Sequence, residues 1–303
     1  LPFTVYLDSL RRCGFNFWRL NNGNCSPELF SKLDPSGNIY KTDRLKQFDT
    51  YAKALRKKGF RILFVVFGWS IPFATNAGDN AKMDALKRWV GYVINRYGAY
   101  VDWYELANEY SKSKYDDRVM AILTKHIKEN DPYGQSYVTL SWERSDLGYL
   151  DMISPHYYAS PGIPEFELEA LRRVNNHRNK KKPVFFGELG NRGCSYEELS
   201  SARWRTIVWS LFMVQGAPIF WHQWSTDYCP NSAANLYLDD KLRDYFAYYT
   251  QWREGFDKKA QRTSVKLSTD KVRAYALSGP TDFGCYIFDY SGGLTTPRTG
   301  LNI

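Results

Sequence analysis

The sequence predicts an α/β fold, specifically a (β/α)₈ barrel, on three grounds. Apolar runs alternate with amphipathic stretches along most of the 303 residues, the pattern of α/β folds. Runs such as Arg61-Ile62-Leu63-Phe64-Val65-Val66-Phe67 are apolar on both faces, as buried parallel strands are. The length also suits one barrel of about 250 residues with a remainder. The competing arrangement, a doubly wound open sheet, would bring a Gly-rich phosphate loop after a strand, and none is present.

In chain order, a short helix is expected over Thr4 to Cys13, then a strand over Gly14 to Leu20. Leu45, Phe48, Ala52 and Leu55 recur at helical spacing, and Gly59 supplies a left-handed end. Strand 61–67 follows, then a helix through Met83, Leu86, Val90, Val93 and Tyr97 that stops at Gly98. The strand Val101 to Ala107 runs into Asn108-Glu109. The next helix carries Val119, Ile122, Leu123 and Ile127, with Pro132 just beyond it. Strands are then expected at 137–142 and 152–154, a helix near 164–177, a strand at 183–187, a helix at 197–215, a strand at 218–221 and a helix at 242–252. Only the step from Trp142 to Met152 is too short for a helix. The leading helix has no strand before it, so the expectation is a barrel lacking its first strand in this chain. Residues 1–257 are read as that barrel. From 258 the pattern turns to period two, with strands expected at 265–267, 272–277 and 284–290, broken by Ser278-Gly279-Pro280. Residues 258–303 are therefore read as the start of a C-terminal antiparallel β-domain.

Composition narrows the function. With 44% hydrophobic and 24% charged residues, the chain has material for a sizeable core and is not a disordered polymer. Aromatic residues reach 17%, with ten Trp, and Trp faces are surfaces on which sugar rings stack. The net charge of +9 raises the question of polyanion binding. The basic residues are spread over helical faces, with one dense run at Arg178-Asn179-Lys180-Lys181-Lys182 ahead of an apolar strand. They read as solvated helix ends, and no nucleic-acid partner is expected. Five Cys (Cys13, Cys25, Cys194, Cys229, Cys285) show neither CxxC nor Cys/His ligand spacing, so no metal site is expected. The sequon Asn24-Cys25-Ser26 points to secretion or an extracellular setting. No run approaches the ~18 apolar residues of a membrane helix, and no membrane partner is expected.

Active-site groups of a barrel sit where strands end. Those ends deliver Arg19, Trp69, Asn108 with Glu109, Trp142, His156 with Tyr158, Glu188, and Trp221 with Trp224 nearby. No Ser or Cys has a His/Asp escort. Two carboxylates among aromatic residues are the equipment of glycoside hydrolysis. The bland alternatives are an N-terminal helix residue for either Glu, a structural role for His156, and core packing for Tyr158 and Trp221. Both Glu standing at strand ends makes coincidence a poorer account. Glu105 reads instead as a buried hydrogen-bonding residue inside the barrel.

These residues carry a resemblance. Tyr104-Glu105-Leu106-Ala107-Asn108-Glu109 resembles the E-L-x-N-E signature of the clan A, cellulase-type (family 5-like) retaining glycoside hydrolases, which are TIM barrels. Lys182-Pro183-Val184-Phe185-Phe186-Gly187-Glu188-Leu189-Gly190 is similar to their nucleophile segment, Gly14-Phe15-Asn16-Phe17-Trp18-Arg19-Leu20 to their G-x-N-x-x-R, and His156-Tyr157-Tyr158 to their H-x-Y. The order and spacing of the four motifs, over roughly residues 4–256, make the resemblance specific. It implies Glu109 as acid/base and Glu188 as nucleophile. It further implies Arg19 and Tyr158 holding Glu188 ionised and aimed, Asn108 on the sugar 2-hydroxyl, His156 lining the same subsite and Trp221 beneath the sugar. Trp69, Trp142 and Trp224 are further candidates for sugar stacking. It implies a carbohydrate partner and no cofactor. Two departures, Tyr110 in place of the usual Pro and Phe67-Gly68-Trp69-Ser70 in place of an acidic-x-His pattern, bear on the substrate more than on the mechanism. The tail resembles the appended β-domain of bacterial polysaccharide-degrading relatives.

The function expected is thus double-displacement cleavage of a β-linked polysaccharide or oligosaccharide. In that reaction two carboxyls about 5–5.5 Å apart divide attack and proton transfer. A carbohydrate-binding pseudoenzyme of the same fold is the alternative, and a polyanion-binding barrel is the third reading.

Overall fold

The computed structural model of the chain describes residues 2–22, 29, 40–68, 76–110, 116–134, 137–159, 166–191, 200–220, 238, 240–267 and 272–289. They form two compact units, Leu1–His156 and Tyr157–Ile303.

The first unit alternates helix and strand: α1 (Phe3–Arg12), β1 (Phe17–Leu20), α2 (Thr42–Lys57), β2 (Arg61–Phe67), α3 (Asn80–Tyr97), β3 (Trp103–Ala107), α4 (Asp117–Asn130) and β4 (Tyr137–Thr139). The strands make one four-stranded sheet in the order β1-β2-β3-β4, parallel throughout, with Leu20 opposite Phe64, Phe64 opposite Tyr104 and Tyr104 opposite Val138. Ile62 to Phe67 are fully buried, the consequence of a strand covered on both faces. Helix ends follow the expected chemistry. Gly59 closes α2 with φ +78°, a conformation that suits a residue without Cβ. The side chains of Asp79 and Asp116 accept the Lys82 and Arg118 amides and so cap α3 and α4. Gly98 ends α3 for a different reason. Its backbone is right-handed, but a Cβ there would lie 2.6 Å from the Ile94 carbonyl oxygen.

Asp102 fixes the register at the start of β3. Its carboxylate accepts the Ile62 amide at 2.8 Å as well as Arg56 and Arg61, while its own amide donates to the Ile62 carbonyl. The strand expected at 137–142 is shorter than that. The ladder ends at Thr139, and Ser141 and Trp142 make isolated bridges to Ser154 instead. The interruption coincides with a left-handed backbone at Trp142, φ +108°, which turns the chain out of the ladder.

The second unit contains β5, which begins on the last residue of the first unit (His156–Ala159), α5 (Phe166–Asn176), a 3-10 turn at Arg178–Lys180, β6 (Glu188–Asn191), α6 (Ser200–Met213), α7 (Asp240–Gly255), β7 (Gln261–Thr263), β8 (Val272–Ser278) and β9 (Phe283–Asp289). β5 and β6 form a two-stranded sheet. The run expected as a strand at 183–187 makes one bridge, Phe185 to Ala217, and regular pairing starts at Glu188. β7, β8 and β9 form an antiparallel sheet with Thr263 opposite Ala276 and Ala276 opposite Cys285. Its first strand lies four residues before the expected 265–267, because Ala260 is buried with Met213 and Leu277 and so sets where the ladder begins. Trp209, Phe212, Trp252, Phe256 and Tyr286 pack around that core. Arg273 on β8 donates to Glu167 on α5, a buried carboxylate. Cys13 is buried and Cys285 half-buried, while Cys25, Cys194 and Cys229 lie outside the described residues. Among the described residues no helix is long and apolar enough to cross a membrane.

Candidate active site

In the first unit the site is built around the end of β3. Alternation along a strand puts Trp103 and Glu105 on one face, and Phe17 and Arg19 of β1 on one face. The two faces meet: the Phe17 and Trp103 rings lie 4.7 Å apart, and Arg19 grips Glu105 with two hydrogen bonds of 2.7 and 2.6 Å. Neither side chain of this ion pair is exposed. The fork geometry of a guanidinium on a carboxylate is the arrangement in which such burial is tolerated. Glu105 is thus the buried hydrogen-bonding residue expected from sequence. Glu105 and Asn108 accept hydrogen bonds from Arg19 within this unit, whereas Glu188, the partner expected for Arg19, belongs to the second unit. Arg19 Nη2 donates to Asn108 Oδ1 at 2.6 Å.

Asn108 prolongs the ladder by donating its amide to the Phe67 carbonyl at 3.1 Å. Its side-chain Nδ2, buried, finds no acceptor among the described residues. Glu109 then turns into a left-handed conformation, φ +49°, uncommon for a residue with Cβ. Ser141 holds it there. The Glu109 amide donates to Ser141 Oγ at 2.6 Å, and the Tyr110 amide donates to the Ser141 carbonyl at 3.0 Å. The Ser141 hydroxyl lies 3.3 Å from both Asn108 Oδ1 and the Ala107 carbonyl, either of which can take its proton.

The Glu109 carboxylate is half-buried, with Oε1 3.4 Å from Nδ1 of the buried His156. Trp142 is 47% exposed, its ring centroid 6.2 Å from that of His156. An exposed indole beside a polar cluster is a surface on which an apolar sugar face can rest.

Behind the Glu109 turn, Tyr110 is fully buried. Its hydroxyl donates to Asp117 at the start of α4, and the Arg144 guanidinium covers its ring at 5.2 Å. Arg144 in turn grips Asp117 at 2.9 and 2.8 Å and Asp146 at 2.9 Å. Burial, followed by the bond to Asp117, pushes the Tyr110 hydroxyl far above the ordinary phenol range. This group therefore stays a neutral donor.

In the second unit, alternation along β5 sends Tyr157 and Tyr158 to opposite faces. Tyr157 lies under the Arg173 guanidinium of α5, 5.5 Å away, and burial, with a smaller effect of Glu169, pushes its hydroxyl up to about 12. The Tyr158 hydroxyl donates to Oε2 of Glu188, which is 4% exposed at the start of β6. The expected Tyr158–Glu188 partnership is therefore present. Trp69, Trp221 and Trp224 lie outside the described residues.

Ser141 and the Tyr110–Asp117–Arg144 group were missed by sequence reasoning. The available signal was weak: a small hydroxyl residue ahead of Trp142, and Tyr110 departing from the Pro usual after Asn-Glu.

No family model matches the sequence, and no curated protein matches it. Solved structures do. The hyperthermostable endo-1,4-β-D-mannanase of Thermotoga petrophila matches with a TM-score of 0.56 and 15% identity over 81% of this chain and 94% of that one. A GH5-4 broad-specificity endoglucanase from an uncultured bovine rumen ciliate matches with a TM-score of 0.59 and 16% identity over 83% and 87%. A GH5_18 protein of Bifidobacterium longum subsp. infantis matches with a TM-score of 0.59 and 12% identity over 82% and 73%. The chain is thus structurally similar, over most of its length, to the TIM barrels of GH5 glycoside hydrolases. At these identities the likeness is one of fold.

Proposed function

We propose that the chain is a retaining β-glycoside hydrolase that cleaves a β-linked polysaccharide or its oligosaccharides. The observation that carries this reading is the left-handed backbone of Glu109 at the end of β3, held by Ser141 and flanked by His156. Such a conformation costs about 1–3 kcal/mol, and strain of this kind persists where function requires it. The buried Glu188 with its Tyr158 donor supports the same reading.

In the proposed reaction the Glu188 carboxylate attacks the anomeric carbon, and the bond to the leaving oxygen breaks as Glu109 gives that oxygen its proton. Glu109, now a carboxylate, takes a proton from water. The resulting hydroxyl attacks the same carbon and releases Glu188, so configuration is retained after two inversions. Tyr158 orients the nucleophile. Arg19, with Tyr158, keeps Glu188 ionised and aimed, and it also fixes Glu105 and the Asn108 amide, whose open N–H is placed to meet a sugar hydroxyl. His156 lines the subsite, and Trp142 with Trp69, Trp221 and Trp224 supplies stacking surfaces. No cofactor enters. Because structurally similar proteins are described as β-mannanase and endoglucanase, β-mannan and β-glucan stand first among substrates, and an extracellular location fits such polymers.

The test is hydrolysis of aryl β-glycosides and of β-glucan, mannan, xylan and galactan. Glu188→Gln should bring turnover to background with sugar binding kept. Glu109→Ala should lose about 10²–10⁴-fold and be rescued by azide as a glycosyl azide of retained configuration. An inverted first product would overturn both assignments. Sugar binding without turnover in the native protein would favour the pseudoenzyme.

A further inference from the structure

β1 leaves its sheet after Leu20, and two asparagines follow. Both are buried, Asn21 with 3% and Asn22 with 1% of its surface exposed. Their hydrogen bonds differ completely. Asn22 spends its amide on the fold, donating Nδ2 to the Val66 carbonyl at 2.8 Å and accepting the Leu29 amide at 3.0 Å. Asn21 has no partner for Nδ2 or Oδ1 among the described residues. A buried amide with both ends unmet is rare in native proteins and carries its full desolvation cost.

The position of Asn21 gives the reason. Carried one residue past the end of β1, the alternation that puts Phe17 and Arg19 on the face meeting Trp103 and Glu105 assigns Asn21 to that same side. On that side Asn108, hydrogen-bonded to Arg19, also has an open Nδ2. Around one strand end there is thus an unmet demand for both donors and an acceptor. The guanidinium nearby is already neutralised by Glu105, so no net charge draws an anion. A carboxylate or phosphate would satisfy only the amide N–H groups, and a cation only the carbonyl. A hydroxyl both donates and accepts, and neighbouring hydroxyls on a neutral polyol satisfy the whole set.

We infer that Asn21 is a specificity-determining contact, its side-chain amide reading a hydroxyl of the sugar. The inference deepens the glycoside-hydrolase reading and rests on it. It also makes a prediction of unusual sign. An amide that serves the fold loses stability when replaced, whereas an unmet one gains it.

The experiment uses the full chain with Asn21→Leu and Asn21→Ala. The thermal midpoint of Asn21→Leu should rise by about 2–4 °C, and a fall of that size would overturn the inference. On the aryl β-glycoside that the native protein cleaves best, kcat/KM of both variants should fall about ten- to hundredfold. On one monodeoxy analogue of that substrate the fall should be less than about twofold, because the hydroxyl being read is already absent. Unchanged kcat/KM, or equal losses on every analogue, would overturn the role of Asn21 while leaving the glycosidase reading intact. Should the native protein cleave nothing, that reading fails, and calorimetric titration with cellobiose and mannobiose decides on Asn21. Affinity lost in Asn21→Leu supports the contact. Equal affinity, or none in the native protein, overturns it.

Discussion

Glu109 and Trp142 hold left-handed backbones at φ +49° and +108°, and Ser141 touches the first while preceding the second. One hydroxyl thereby holds the backbone of Glu109 from the position next to an exposed indole. Ser141→Ala should lower stability by about 1–3 kcal/mol, because the Glu109 amide loses its acceptor. In the proposed reaction it should also lower kcat about ten- to hundredfold through misplacement of Glu109, with KM little changed. Steady-state kinetics beside urea unfolding check both. A second residue-scale consequence concerns pH. Burial, the largest influence on His126, holds its pKa below the ordinary 6.5. Unfolding exposes an imidazole that binds protons more readily than the folded one, so stability rises with pH: the contribution is full above the unfolded value of 6.5 and is lost as pH falls from there through the lower folded value. Replacing His126 by Gln should therefore shrink the stability difference between about pH 7.5 and about pH 5, measured by urea unfolding at each.

At the scale of elements, two kinds of joint hold the architecture. One is polar and positions the site: Tyr110, Asp117 and Arg144 bind the turn after β3 to the first turn of α4. The Glu109 turn is thus anchored from behind by a helix terminus, not left as a free loop. The other joint is apolar. β9 lies against α7 so closely that a Cβ on Gly284 would meet Trp252 Cζ2 at 2.8 Å and Phe256 Cε2 at 2.9 Å. Both obstacles are rigid rings in a packed cluster, with Trp252 and Phe256 stacked at 4.6 Å. Gly284→Val should cost about 1–3 kcal/mol by overpacking, seen as a lower denaturant midpoint with an unchanged slope.

At the scale of the whole molecule, the charge of +9 looks like the mark of a polyanion binder until its cations are followed to their partners. Arg56 and Arg61 share Asp102, Lys58 pairs with Asp8, Arg96 with Asp49, and Arg144 with Asp117 and Asp146. These five cations are answered locally, and the sequence spreads the others over helical faces, apart from the run at Arg178-Asn179-Lys180-Lys181-Lys182. Heparin should therefore hold the protein only at low ionic strength and release it by about 0.15 M salt. Retention well beyond that, with a steep salt dependence, would revive the polyanion-binding reading.

The alternation of helix and strand, the cap at Gly59 and the placement of Asn108-Glu109 at a strand end could all be read from the sequence. Each follows from periodicity or backbone preference within a few residues. The burial of Glu105 as a hydrogen-bonding residue was legible too, since a carboxylate within an apolar strand needs a donor. What that donor is could not be read, because Arg19 lies 86 residues away in the chain and the resemblance assigned its guanidinium to Glu188. The same holds for the shortened strand before Trp142 and for pairing that starts at Glu188 and not at Pro183. Ladders depend on both strands, and only one is local. The sequence by itself determined which residue types reach the strand ends. Tertiary structure decided which of them touch: Arg19 with Glu105, Ser141 beneath Glu109, and Asn22 spent on the fold while Asn21 is left open. Hydrogen-bond partners are chosen by distance in space, and the chain's local code does not record it.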